Sequence, residues 1–165
     1  MKLAIPFALL LFLAACATPY SYRFQVTDPG VVLGQSPRGD VVEDADVKAE
    51  VTVVETRSSN GAEASHELRL SLGNKTDDVM QVRWTEVLLV DPNGASRSVR
   101  PDQDLGGFKP GESQGNQLNP FVVPAHGAAA LAYDGKIFEL QVPIIVRKQR
   151  KQYGFHFMAH VSKAD

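Results

Sequence analysis

A single cysteine among 165 residues leaves no intramolecular disulfide to staple the chain, so a fold must come from apolar burial. Helix signals are almost absent after that cysteine, where no long stretch repeats its apolar residues at i, i+3, i+4 and i+7. No apolar run reaches the length that crosses a bilayer as a helix. An excess of positive charge is missing too: 17 lysines and arginines face 19 aspartates and glutamates, for a net charge of −2. That balance disfavours nucleic acid as a partner. The Gly-x-Ser-x-Gly and His-Glu-x-x-His signatures do not occur, and Gly106-Gly107 lacks the lysine and following helix of a phosphate loop. The expectation is a non-catalytic protein with no bound cofactor.

What the chain does contain begins at its N-terminus. Lys2, an apolar run from Leu3 to Leu13 and the small pair Ala14-Ala15 ahead of Cys16 have the layout of an export signal. Leu13-Ala14-Ala15-Cys16 resembles the lipobox of bacterial lipoproteins. The resemblance implies that the Cys16 thiol receives a diacylglycerol, that residues 1–15 are removed, and that the new amino group is acylated. Several acyl chains on one residue anchor stably where one would be marginal. Removal of Lys2 with the signal makes the mature chain one charge more negative. Ala17 rather than an aspartate follows the cysteine, which resembles lipoproteins sorted to the Gram-negative outer membrane. The implied location is the bacterial cell envelope, lipid-anchored, at the outer membrane and facing the periplasm. Residues 16–19 then form the lipidated cysteine and a short tether, and 20–165 form one domain.

Beyond the tether the apolar residues alternate with a period of two, the pattern of strands with one solvated face. Tyr20, Tyr22, Phe24 and Val26 form one such set; Val47, Ala49, Val51 and Val53 form another; His66, Leu68, Leu70 and Leu72 a third. The second and third read as a hairpin across Ser59-Asn60-Gly61. Met80, Val82, Trp84, Leu88 and Val90 share parity in the longest apolar segment, which places Trp84 between two sheets, with Glu86 at a bulge or strand end. Asp91-Pro92-Asn93-Gly94 fits a tight turn before a short strand at 95–99. The polar stretch up to Asp46 reads as loop, and Pro101 to Asn119 as the longest loop. Strands follow through Ala130 to Tyr133, through Phe138 to Val146, and through Tyr153 to Val161. Pro143 places its strand at an edge or a bulge.

Roughly seven to nine short strands in about 150 residues, without helical crossovers, specify an all-β fold: an antiparallel immunoglobulin-like β-sandwich. Val123-Pro124-Ala125-His126-Gly127 resembles a turn of bacterial sandwich lipoproteins.

Few side chains suggest chemistry. His156, Met158 and His160 share a strand face and carry copper-like donors, yet i and i+4 on a strand stand roughly 13 Å apart, too far for one ion. Asp102-Gln103-Asp104 opens like a calcium loop, but Gly106 and Ser113 fall where ligands are needed. No metal site is expected. Arg147, Lys148, Arg150 and Lys151 concentrate positive charge between the last two strands, either as a solvated hairpin tip or as a contact for anionic headgroups or an acidic partner. The leading expectation is a membrane-anchored module that binds another envelope protein. The alternative is a ligand-binding or hydrolytic domain that uses the 101–119 loop as a lid.

Overall fold

Alternation translates directly into strands wherever both neighbours are strands too. The computed structural model describes residues 18–28, 41–56, 61–101 and 106–164. In chain order the strands are β1 (Tyr20–Asp28), β2 (Val41–Glu43), β3 (Val47–Thr56), β4 (Glu63–Asn74), β5 (Gln81–Val82), β6 (Leu88–Val90), β7 (Ser96–Ser98), β8 (Ser113–Gln117), β9 (Phe121–Pro124), β10 (Ile137–Val146) and β11 (Gln149–Lys163). Among the described residues a helix, α1 (Gly127–Leu131), and a 3₁₀ turn, Trp84–Glu86, interrupt them.

The strands form two antiparallel sheets. The first runs β1-β11-β10-β6-β7, with β5 also paired to β10; the second runs β2-β3-β4-β8, with β9 also paired to β4. The expected sandwich is therefore present. Its core lies where the inner faces meet: Val47, Ala49 and Val51 with Leu68, Leu70 and Leu72 from one sheet, and Phe138, Leu140 and Val142 with Tyr153, Phe155 and Phe157 from the other, all buried.

Four local expectations are corrected. Ala130 to Tyr133 do not form a strand, because Gly127 at φ 62° turns the chain into α1, and an alanine run favours helix once no partner strand competes. The 101–119 stretch is not a continuous loop. It contains β8, whose Ser113 to Gln117 pair with Arg69 to Gly73 of β4, and Phe108 is fully buried beside Met80. Backbone pairing without apolar side chains leaves no periodicity to read. The segment from Met80 to Val90 is two strands with the 3₁₀ turn between them, which still buries Trp84 and turns Glu86 outward to Arg83 (3.1 Å) and Arg150 (2.9 Å).

Pro143 lies in the interior of its sheet rather than at an edge. On one side it pairs with Gln152, and its carbonyl accepts from the Arg83 amide at 3.0 Å on the other. Residue 143 thus faces the break between β5 and β6. The missing proline N–H falls where the neighbouring strand is interrupted, so no ladder acceptor is left waiting.

Candidate functional site

The basic hairpin tip is built by the β10–β11 turn, with Arg147 at φ 48° and Lys148 at φ 61°. Three of its four charges are engaged within the chain. Arg147 Nε stands 3.3 Å from Asp46, Arg150 reaches Glu86, and Lys151 Nζ donates to Asp44 at 3.1 Å and to Asp46 at 2.5 Å. Lys148 forms no ion pair among the described residues. The polar stretch before β3 is accordingly not merely solvated, since Asp46 is buried and the Asp44 side chain is 8% exposed. Burial opposes the Asp44 charge, but amide donors from Val47 and Asp46, the Tyr153 hydroxyl at 2.8 Å and Lys151 outweigh it and hold its pKa below the ordinary value. Burial, and then the bond to Asp44, push the Tyr153 hydroxyl up. This cluster joins the two sheets at one end of the sandwich.

At the other end β1 of the first sheet approaches β3 of the second. Pro19 accepts from the Ala164 amide on the β11 side, whereas Tyr20 donates outward to Ala125 at 2.8 Å. By strand alternation the N–H and C=O groups of Tyr22 and Phe24 also face outward, and no strand among the described residues pairs with that edge. In the second sheet β2 covers β3 only opposite residues 48–50. A cleft of about 510 Å³ opens between these edges, lined by Tyr22, Arg23, Phe24, Val53, His66 and His160 among others.

His66 is the unusual member. It sits on β4 with the inward parity of Leu68 and Leu70, is fully buried, and has no hydrogen-bond partner on either ring nitrogen. Aromatic rings surround it: Phe24 at 4.9 Å and Tyr22 at 5.6 Å meet it edge-on, and Phe121 lies at 5.5 Å. Burial lowers its pKa to about 4, so the imidazole is neutral. Tyr22 is held in place by donating to the Pro124 carbonyl at 2.6 Å, and burial raises its pKa to about 12. On the outer side of β1, Arg23 pairs across the ladder with His160, and Ser21 with Ser162, whose hydroxyls are 3.2 Å apart. No carboxylate lines the cleft among the described residues. The arrangement offers donors, acceptors and aromatic faces for binding, and no hydroxyl among the described residues is hydrogen-bonded to His66.

Sequence reasoning placed His66 on the right face but not in a site; a histidine at an inward position among leucines was the available signal. His160 joins it at the cleft, whereas His156 and Met158 lie half-buried on the outer sheet face, with His156 4.0 Å from Glu139. His126 bonds the Gly61 carbonyl instead. No group of three potential metal-binding side chains occurs among the described residues. A smaller cleft beside Gly106 and Gly107, about 350 Å³, is lined by Trp84 and Arg83 but by no histidine. Asp102 and Asp104 lie outside the described residues, as do Cys16 and the signal segment. No helix among the described residues is long and apolar enough to cross a membrane.

No protein-family model matches the chain, and no curated protein matches it. Two solved structures are similar. One is the X-ray structure of Northeast Structural Genomics Consortium target SoR45, 10% identical, covering 72% of this chain and 87% of that one with a TM-score of 0.45. The other is a crystal structure of a conserved hypothetical protein from Bacillus anthracis, 14% identical, covering 79% of this chain and 96% of that one with a TM-score of 0.43.

Proposed function

We propose that this protein is a non-catalytic lipoprotein of the bacterial envelope, acylated at Cys16, whose sandwich binds another envelope protein through the cleft at the open edge of β1. The observation that carries this reading is the cleft itself: a strand edge that no strand among the described residues pairs with, beside a buried histidine without a hydrogen-bond partner. Buried polar groups are ordinarily satisfied, and one that is not, at the floor of a cleft, is satisfied by what enters. The outer membrane, with the domain in the periplasm, is the proposed location on the lipobox and Ala17.

The anchor also orients the domain. Lys163 pairs with Tyr20, four residues after Cys16, while Lys151 lies twelve residues back along β11, roughly 40 Å at the rise of a strand. In an upright domain the cleft is membrane-proximal and the basic tip points away from the headgroups. This favours an acidic partner over lipid for any contact at that tip.

Photo-crosslinking in native membranes tests the reading. A crosslinker at Val53 should capture one recurrent envelope protein, and one at Gly115 on β8, the edge strand on the other side of the same sheet, should not. Equal capture from both positions, or none from Val53, overturns it. Fatty-acid labelling should mark the chain at Cys16, and a Cys16→Ser protein that still partitions with membranes would refute the anchor.

A further inference from the structure

The residues lining the cleft come from both faces of β1, which no pocket inside the sandwich would require. Tyr22 and Phe24 face inward with Val53 and His66, while Ser21 and Arg23 face outward beside Ser162 and His160. A strand laid along the β1 edge meets both environments, since its side chains alternate across the sheet plane. We propose that the cleft takes an extended acidic peptide segment of the partner, pairing with the outward backbone groups of Tyr22 and Phe24 and alternating a hydroxyl side chain at His66 with a carboxylate at Arg23 and His160. A neutral imidazole offers one donor and one acceptor on different sides of its ring, and a hydroxyl, being donor and acceptor, pairs with whichever of the two faces it. The outward carboxylate follows from charge: in a chain with more acids than bases, the described lining residues hold a guanidinium and two imidazoles and no carboxylate.

This inference rests on the binding-module reading. Its test uses the full chain in detergent and a fluorescein-labelled, end-blocked hexapeptide alternating threonine with glutamate. The peptide should bind, and its threonine–lysine counterpart should not. Arg23→Glu, an exposed change, should weaken the glutamate peptide about tenfold and admit the lysine peptide. N-methylation of one alternate set of peptide amides should abolish binding, and of the other set should not, because only one set faces β1. Binding should also move the ring nitrogen signals of His66. The proposal is overturned by equal tolerance of both N-methylated sets, by displacement with free glutamate at equal affinity, by an unchanged preference in Arg23→Glu, or by a chain that dimerises through its own β1 edge. Native crosslinks from Val53 together with no binding of any peptide would reject the peptide class and leave the binding role standing.

Discussion

His66 should make this protein sensitive to mild acid. Its folded pKa, about 4, lies below the ordinary 6.5, so the unfolded chain takes up a proton first as pH falls. The stabilisation is fully present above the ordinary value and is lost progressively toward the folded one, amounting to roughly 3 kcal/mol. In thermal melts between about pH 7.5 and 4.5, the wild type should lose melting temperature and His66→Phe should lose much less. Equal losses would mean that the imidazole ionises within the fold. Trp84 makes a second residue-level case. It is 8% exposed, and its indole N–H is buried without a partner. Trp84→Ala should cost about 3–5 kcal/mol in urea unfolding. Trp84→Phe keeps a ring and removes the orphaned donor, so it should cost clearly less.

Among the elements, the β10–β11 hairpin carries a local strain. Both residues of its two-residue turn adopt the left-handed region, which the right-handed twist of the strands requires and which glycine or asparagine takes with less penalty. Lys148 forms no ion pair among the described residues, so Lys148→Gly relieves the strain without breaking one. It should stabilise by about 0.5–1 kcal/mol, read from the urea midpoint at an unchanged slope. The Asp91–Gly94 turn needs no such correction. Asp91 accepts from the Asn93 and Ala95 amides at 2.9 and 3.0 Å, and Gly94 already holds φ 84°.

Across the whole molecule the two sheets are tied at one end by Asp44 and Asp46 from the β2–β3 connection with Lys151 and Tyr153 from β11. Removing Asp44 leaves the buried Tyr153 hydroxyl and the Asp46 and Val47 amides without their acceptor, and leaves Lys151 with Asp46 alone. Asp44→Ala should therefore cost roughly 2–4 kcal/mol, the low end reflecting the partial exposure of Lys151. The sign of the pH effect follows from the depressed Asp44 pKa: the stabilisation is present above the unfolded value, about 3.9, and is lost as pH falls through the folded one. Acid titration of Asp44→Ala should show a shallower loss than the wild type below about pH 4. Replacing all four charges from Arg147 to Lys151 by alanine would also break this tie, so loss of partner binding in that variant must be compared with Lys148→Ala, which should keep full stability.

The inner faces of β3, β4, β10 and β11 were legible because a strand sends alternate side chains to opposite faces, and this periodicity is written locally. The same holds for the Asp91–Gly94 turn, whose residue types match its backbone. By itself the sequence determined an all-β sandwich with these core faces, and the lipobox motif on which the proposed anchor rests. Tertiary structure alone decided the rest. Backbone pairing with β4 orders β8 despite its polar side chains, and α1 replaces a strand because no neighbour offers it a ladder. The 3₁₀ turn at Trp84 is matched by a proline on a different strand. The cleft needs β1 to end one sheet while β3 runs past β2 in the other. Its floor is a histidine more than forty residues from Tyr22, so nothing near either residue in the chain could announce their meeting.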